Sequence, residues 1–362
     1  MFVLVFSGLA FLVTSLLYSR FPDRFDYLES ALFVQKFEHV YDAEDYQTIF
    51  VGSSLTYRQI DPILFDSLVG DVASPSFNLG EAGMFPTRSL KVAERLILNP
   101  PHPLKYLFLE LNRLDYVQDN FSSPEIMFAL DHADFYFCFL TILESGLRID
   151  KKLYYSAQYA RAYLYKYLGF GYYDLLTRKP SKARLKKSDD FWGHQPSGFL
   201  SKDVQLSLGL GAKSMTEDRA RFLADTAVVG KNLKMIQKKY RNPTGAYSLT
   251  YLNKLKTIIS EAESKGIEVI LVLPPRGSAV TYDMCLPIFQ HLPYSHRIDL
   301  ADPVAFPRLY TYEYSFDKIH LNSSGAKAYT EYLSLRFNSI TSKASSQACI
   351  HTSLVTARQG IK

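Results

Sequence analysis

The sequence predicts an α/β fold built around a parallel β-sheet. Three apolar runs are typical of buried strands: QTIFV at 47–51, KYLFLEL at 105–111 and EVILVL at 268–273. Gly52 and Pro274 end the first and the last of these runs, and segments with helical periodicity, such as 86–98 and 249–265, lie between them. Strands that alternate with helices are joined by crossovers, so we expect a parallel, doubly wound sheet.

The first element is an uncharged apolar run from Phe2 to Tyr18. Its length is close to the roughly 20 residues of a membrane-spanning helix. A cleaved signal peptide would need a basic start and a small-residue cleavage site, which are absent from this sequence. We therefore expect a transmembrane anchor over residues 1–20, with a buried first helix as the alternative. Arg20 and Arg24 follow the run, and this charge distribution by itself favours a cytoplasmic location for the rest of the chain.

The rest of the chain divides into two parts of one domain, an insertion and a tail. The first part is expected over 21–115 and the second over 247–340. Between them, 116–246 lacks the alternation and is predicted to be a mainly helical, tyrosine-rich insertion. We expect the polar tail, 341–362, to be disordered.

Within the first part, an amphipathic helix at 26–46 precedes the strand at 47–51. A strand at 76–79, a helix from Pro86 to Leu98 and the strand at 105–111 follow. The second part contains these elements in order: a helix at 249–265, the strand at 268–273, a further helix, a short strand at 297–300 and a last helix from Ser323 to about Phe337.

The composition excludes several classes of protein. Of 362 residues, 47% are hydrophobic, 14% aromatic and 21% charged, which excludes a disordered or fibrous chain. A formal net charge of +5 is too small over this length to indicate a nucleic-acid partner. Cys138, Cys285 and Cys349 form no CxxC pair, and the histidines are not spaced as ligands, so neither a metal nor a cofactor is expected. The cysteines allow at most one disulfide.

Two distant segments carry groups suited to nucleophilic catalysis. The strand 47–51 runs into Gly52, Ser53 and Ser54, and reactive groups in α/β sheets gather at the carboxyl ends of strands. Asp317 and His320 lie three residues apart before the last helix. A serine hydroxyl needs a base to become a nucleophile, and the base needs a carboxylate to orient it. Taken alone, each segment is also typical of a helix cap or turn.

Together the segments resemble the SGNH, or GDSL-type, hydrolases. The resemblance implies a flavodoxin-like, three-layer parallel sheet, with Ser54 as nucleophile, Ser53 in the place of the family's aspartate, and Asp317 and His320 as the other catalytic residues. The second family block resembles 78–83, which implies Gly83, or alternatively Gly80, as an oxyanion donor. The third block places Asn112 in the oxyanion hole, while Glu110 and Arg113 replace the family's glycine and aspartate.

The resemblance implies a serine-dependent esterase or O-acyltransferase without a cofactor. The expected substrates are acyl or acetyl esters of a cell-envelope glycan, and the expected location is a single-pass membrane anchor with the catalytic domain outside the cytoplasm. Protein partners are not predicted. Two alternatives stay open: a non-catalytic glycan-binding or envelope-assembly protein on the same fold, and a lipase-like phospholipid esterase.

Four further features have structural interpretations beside functional ones. We expect Glu110 to make a structural hydrogen bond near the site. Arg276 is either a contact for an anionic substrate or a solvated loop residue. The tyrosines of 154–173 suit a core or a sugar-binding or membrane-facing surface, and the basic run 178–187 suits a solvated loop or a contact with anionic lipid or acidic glycan.

Overall fold

The chain is described here from a computed structural model. The structure describes residues 5–6, 8–9, 12–13, 30–43, 45–114, 130–167, 197–241, 245–277 and 279–359. The predicted span 1–20 lies largely outside the described residues, as do 168–173 of the tyrosine-rich segment and the whole basic run 178–187.

Five parallel strands form a single sheet in the order β2-β1-β3-β4-β5. The strands are β1 (Thr48–Val51), β2 (Ser76–Asn78), β3 (Tyr106–Glu110), β4 (Glu268–Leu273) and β5 (Arg297–Asp299). The prediction of an α/β fold on a parallel sheet is confirmed. This strand order is compatible with a flavodoxin-like doubly wound fold, whose switch point lies between β1 and β3.

Helices connect the strands and cover the sheet. They are α1 (Ala31–Ala43), α2 (Ser54–Gln59), α3 (Pro62–Val69), α4 (Arg88–Leu98), α5 (His132–Glu144), α6 (Ile149–Tyr167), α7 (Lys202–Ser207), α8 (Lys213–Ala224), α9 (Ala227–Arg241), α10 (Leu249–Glu263), α11 (Ala279–Gln290) and α12 (Ser323–Gln359). Helices α5 to α9 fall in the region predicted to be a helical insertion.

The register places the ends of three neighbouring strands together. Phe50 of β1 pairs with Asn78 of β2, and Val51 pairs with Leu109 of β3. Glu110 therefore lies beside the point where β1 turns into α2. Because the strands are parallel, this edge of the sheet collects the loops that follow β1, β2 and β3.

Four phenylalanines join the last helix to the sheet. Phe50 and Phe108, on adjacent strands, have ring centroids 4.9 Å apart, and Phe65 of α3 lies 5.0 Å from Phe50. Phe337 of α12 lies 5.5 Å from Phe108 and 5.7 Å from Phe65. All four side chains are buried, and aromatic pairs at such distances add to the stabilisation from buried area. This packing fixes the end of the chain against its first strands.

The last helix is longer than predicted. It continues through the segment expected to be a disordered tail and ends at Gln359. Glycine and proline are absent between Ala326 and Gln359, and Gly360 follows. Since these two residue types are the main helix breakers, the polarity of the tail was a poor guide to its backbone.

Two further expectations concern the possible disulfide and the membrane-spanning helix. Cys138 and Cys285 are free and buried, and burial raises the pKa of both thiols. In the described parts of the chain, every helix is either too short or too polar to cross a membrane.

We predict that Phe337→Ala lowers the free energy of unfolding by about 3–5 kcal/mol, because it removes a buried ring and leaves a cavity. Leu335→Ala, two residues away on the same helix, is the control, since Leu335 is 66% exposed. Urea unfolding followed by circular dichroism measures both. Equal losses in the two variants would show that the phenylalanine cluster does not hold α12 to the sheet.

Candidate active site

Ser54 lies where β1 turns into α2. Ser53 is the N-cap of α2, and its Oγ accepts a hydrogen bond from the N–H of Leu55 at 3.2 Å. From Val51 to Ile60, Ser54 is the only residue that is not buried. The turn therefore presents one hydroxyl at the carboxyl edge of the sheet and packs its neighbours inside.

Gly52 is required for this turn because two side chains approach its backbone. A Cβ at this position would lie 2.2 Å from Thr56 Oγ1 and 2.5 Å from Glu110 Cβ. Any larger residue would push the first turn of α2 away from β3.

Glu110 holds the turn in place through five hydrogen bonds. Its Oε2 accepts from the backbone N–H groups of Ser53 and Thr56, at 2.9 and 3.1 Å, and from the Thr56 hydroxyl at 2.7 Å. Its Oε1 accepts from the Ser53 hydroxyl and from Asn112 Nδ2, both at 2.6 Å. The expectation of a structural hydrogen bond from Glu110 is confirmed.

The electrostatics of Glu110 follow from its position. Burial raises the pKa of its carboxyl, while the bonds from Ser53, Thr56 and Asn112 act in the opposite direction. Hydrogen bonds to a buried carboxylate replace the water that it loses. Glu110 thus takes the role of a clamp between the end of β3 and the start of α2.

Asp317 and His320 form a compact turn before α12. Asp317 Oδ1 accepts from the backbone N–H groups of Ile319 and His320, at 2.8 and 2.7 Å. His320 Nδ1 lies 2.9 Å from Asp317 Oδ2, and His320 Nε2 lies 2.9 Å from Ser54 Oγ. Because a carboxylate only accepts, Nδ1 donates to Asp317 and Nε2 is left to accept from the serine hydroxyl. The structure brings together the three predicted residues, from segments 266 positions apart.

The charges around the imidazole favour its neutral form. Burial lowers the pKa of His320, Asp317 acts in the opposite direction, and Lys202 and Arg58 lower it further. For Asp317, burial would raise the pKa, but the hydrogen bond and charge of His320 and the charge of Lys202 hold it well below its usual range. Asp317 is therefore ionised and His320 is neutral near pH 7.

The first turn of α2 leaves one backbone donor toward the site. The N–H groups of Ser53, Leu55 and Thr56 are bonded to Glu110 or to Ser53. Within the described part of the chain, the N–H of Ser54 has no such acceptor. The first N–H groups of a helix have no partner inside the helix, so this one is suited to an oxyanion.

The two glycines expected to donate differ in environment. The N–H of Gly80 donates to Asn78 Oδ1 at 2.9 Å, and the carbonyl of Gly80 accepts from the buried Lys36 at 2.8 Å. The N–H and the carbonyl of Gly80 are thus both hydrogen-bonded within the protein. Gly83 is exposed and has φ +79°, and its role as the second donor stays a prediction.

Asn112 is buried beside the clamp. Its Nδ2 donates to Glu110, and its Oδ1 accepts from the N–H of Arg113 at 2.8 Å and from the Thr281 hydroxyl at 3.5 Å. These contacts hold the side chain in the network of Glu110. Its expected contribution to the oxyanion hole stays a prediction.

Three basic residues beside the site were missed or misinterpreted from the sequence. Lys202 of α7 donates to Asp317 Oδ2 at 2.8 Å, and nothing in its local sequence signalled this. Arg58, one turn after Ser54 on α2, is buried and donates to the carbonyl of Leu200 at 2.8 Å. Arg276 is only 4% exposed and donates to the carbonyl of His320 at 3.4 Å, so its interpretation as a solvated loop residue was wrong.

The site is identified by geometry, because comparison with models of known protein families and with curated proteins finds no match. In the parts of the chain that the structure describes, no group of three or more His, Cys, Asp or Glu side chains is arranged to hold a metal ion. The arrangement of Ser54, His320 and Asp317 is the one that activates a serine for attack on a carbonyl.

We predict that Glu110→Gln lowers the free energy of unfolding by about 2–4 kcal/mol, since an amide NH₂ would face buried donors in place of a carboxylate oxygen. Glu217→Gln is the matched control, because the Glu217 side chain is 55% exposed. Urea titration of both variants provides the comparison. An unfolding midpoint equal to that of the control would contradict the clamp.

Proposed function

We propose that the chain is a serine-dependent esterase or O-acyltransferase that works through an acyl-serine intermediate. The observation that carries this proposal is the hydrogen-bonded series Ser54, His320 and Asp317, with both imidazole nitrogens 2.9 Å from their partners. A partly buried serine next to a neutral, oriented histidine has the requirements of an activated nucleophile.

In the first step, Ser54 Oγ attacks the carbonyl carbon of an ester while its proton moves to His320 Nε2. The imidazolium that forms is stabilised by the ionised Asp317. The tetrahedral intermediate collapses when the bond to the leaving alcohol breaks, and His320 returns the proton to that alcohol oxygen. The products of this step are the free alcohol and the acyl ester of Ser54.

The oxyanion of the tetrahedral intermediate needs donors that are fixed in advance. We assign this role to the N–H groups of Ser54 and Gly83. Removing one such donor typically costs about 3–4 kcal/mol of transition-state stabilisation. Glu110 supports the first donor because it holds the N–H groups of Ser53 and Thr56 on either side of Ser54.

In the second step, a hydroxyl attacks the acyl ester with His320 as base. Water yields an esterase, and a sugar hydroxyl yields an O-acyltransferase. Both outcomes use the same residues, because they differ only in which acceptor reaches the acyl carbonyl.

The substrate class and location in this proposal rest on the resemblance to SGNH hydrolases of the cell envelope. We propose an acyl or acetyl ester of an envelope glycan as substrate and an outward-facing catalytic domain. The apolar N-terminal run supports a membrane anchor. Its described residues are helical and expose large apolar side chains: Val5, Phe6, Leu9, Leu12 and Val13.

The non-catalytic alternative depended on the departure of 110–113 from the family block. Glu110 has a structural role that accounts for the replacement at position 110, because its carboxylate holds the serine turn in place. This weakens the alternative of a binding protein. Among the described residues, no contact specifically favours the phospholipid alternative.

We expect a fluorophosphonate probe to label the full-length chain in mild detergent at Ser54. Ser54→Ala and His320→Ala abolish labelling, and Asp317→Asn slows it by roughly 10⁴ because the imidazole loses its orientation. Ser264→Ala, at an exposed helix end, is the control and leaves labelling unchanged. Absence of labelling in the folded parent protein would refute the proposal.

The pH dependence of labelling follows from the lowered pKa of His320. The neutral imidazole is the base, so the rate falls as pH decreases through that pKa. We expect the midpoint of this fall below 6.5, the ordinary histidine value, and a constant rate from that value up to pH 8. The labelling rate, measured at a series of pH values from 5 to 8, gives this midpoint. A midpoint above 7 would contradict the charge arrangement described for the site.

A further inference from the structure

Residues 197–203 of the insertion, here called the strap, contact several of the segments that form the candidate active site. At one end, the Ser197 carbonyl accepts from the N–H of Asn78, the last residue of β2, at 2.9 Å. The Leu200 carbonyl accepts from Arg58 of α2 at 2.8 Å. The strap thus contacts both the strand end and the helix that carry the first part of the site.

The strap approaches the strand end closely at Gly198. This residue has φ +76°, and a Cβ there would lie 2.1 Å from the Asn78 carbonyl oxygen. Only glycine permits both this backbone conformation and this distance. The path of the strap is therefore determined by its contact with β2.

At its other end the strap is fastened to the start of α12. Asp203 accepts from the backbone N–H of Ser323 at 3.0 Å and from its hydroxyl at 2.6 Å. Ser201 Oγ lies 2.9 Å from Ser323 Oγ. These contacts cap α12, which begins three residues after His320.

Lys202, which lies between Ser201 and Asp203, contacts Asp317, the carboxylate of the candidate triad. Its Nζ donates to Asp317 Oδ2 at 2.8 Å, and the two side chains are 14% and 10% exposed. The same oxygen accepts from His320 Nδ1 at 2.9 Å. The ammonium group and the imidazole therefore share one carboxylate oxygen.

We propose that Lys202 is a positioning residue of the reaction, through which the strap orients Asp317 and sets the protonation of His320. The proposal rests on the proposed function for its catalytic meaning. A partly buried cation beside Asp317 keeps that carboxylate ionised and directed at Nδ1, and its charge opposes a second proton on the imidazole. The insertion thereby completes the site.

The charged groups that face His320 come from four segments. Asp317 lies in its own turn, Lys202 in the strap, and Arg58 on α2; Arg276, after β4, donates to the His320 carbonyl. Three of these four groups are cationic. Removal of Lys202 leaves Asp317 with a stronger net influence on the imidazole, so His320 then binds a proton more readily.

The test uses the full-length chain in mild detergent with ¹³Cε1-labelled histidine. The protein has eight histidines, and His320→Gln assigns the signal. We expect Lys202→Met to raise the pKa of His320 by about 1, and Lys202→Arg to restore it. Asp203→Asn is the matched control: it loosens the same strap but removes a negative charge, so it does not raise the pKa of His320.

Fluorophosphonate labelling supplies the second measurement. In Lys202→Met, we expect the rate to fall roughly three- to eightfold at pH 6 and less than about twofold at pH 8, because a rise of about 1 in the histidine pKa lowers the neutral fraction by these amounts. Lys213→Met, at a lysine whose side chain is 93% exposed, leaves the rate unchanged. A uniform loss at both pH values, with the pKa of His320 unmoved, would overturn the proposal in favour of a structural role.

The two measurements separate this proposal from the proposed function. If the parent protein does not label, the proposed function fails, yet the histidine titration still shows whether Lys202 acts on His320. If the parent labels and Lys202→Met leaves both the titration and the rate profile unchanged, only the role of Lys202 is refuted.

Discussion

The buried carboxylate of Glu110 is the interaction on which the geometry of the site depends. It collects donors from the turn after β1 and from Asn112, which follows β3, so two strands that pair in the sheet are also joined at their ends. A charge in this position is tolerated because each oxygen has several donors. The position of Ser54 relative to the sheet therefore follows chiefly from strand register and the contacts of one side chain.

The site also has an excess of positive charge around Asp317. Lys202 pairs with Asp317, Arg58 is buried nearby, and Arg276 contacts the backbone of His320. Buried cations are costly unless they are paired or hydrogen-bonded, and each of these has a carboxylate or carbonyl partner. The pairs connect the serine helix, the strap and the turn of Asp317 into one electrostatic unit.

Much of the sheet and the three central site residues could be predicted because their signals are local. Apolar runs ended by glycine or proline mark the strands, and the serine turn and the Asp317 to His320 spacing are short motifs. Lys202 could not be predicted, because its contact with Asp317 joins segments 115 residues apart and depends on the fold. Likewise, Glu110 was recognised as structural, but its five donors follow from the register of β1 and β3. The length of α12 was missed because tail polarity was weighed above the absence of helix breakers.

The contact of α12 with the segment around Asp61 has a consequence for the order in which the site is assembled. Thr330 accepts from the backbone N–H of Asp61 and donates to the carbonyl of Gln59, so the last helix touches the segment directly after the serine helix. During synthesis the serine leaves the ribosome some 266 residues before the histidine. A nascent chain thus holds Ser54 without His320 until the segment before α12 has been made, so the hydrogen-bonded series of Ser54, His320 and Asp317 forms only late in synthesis.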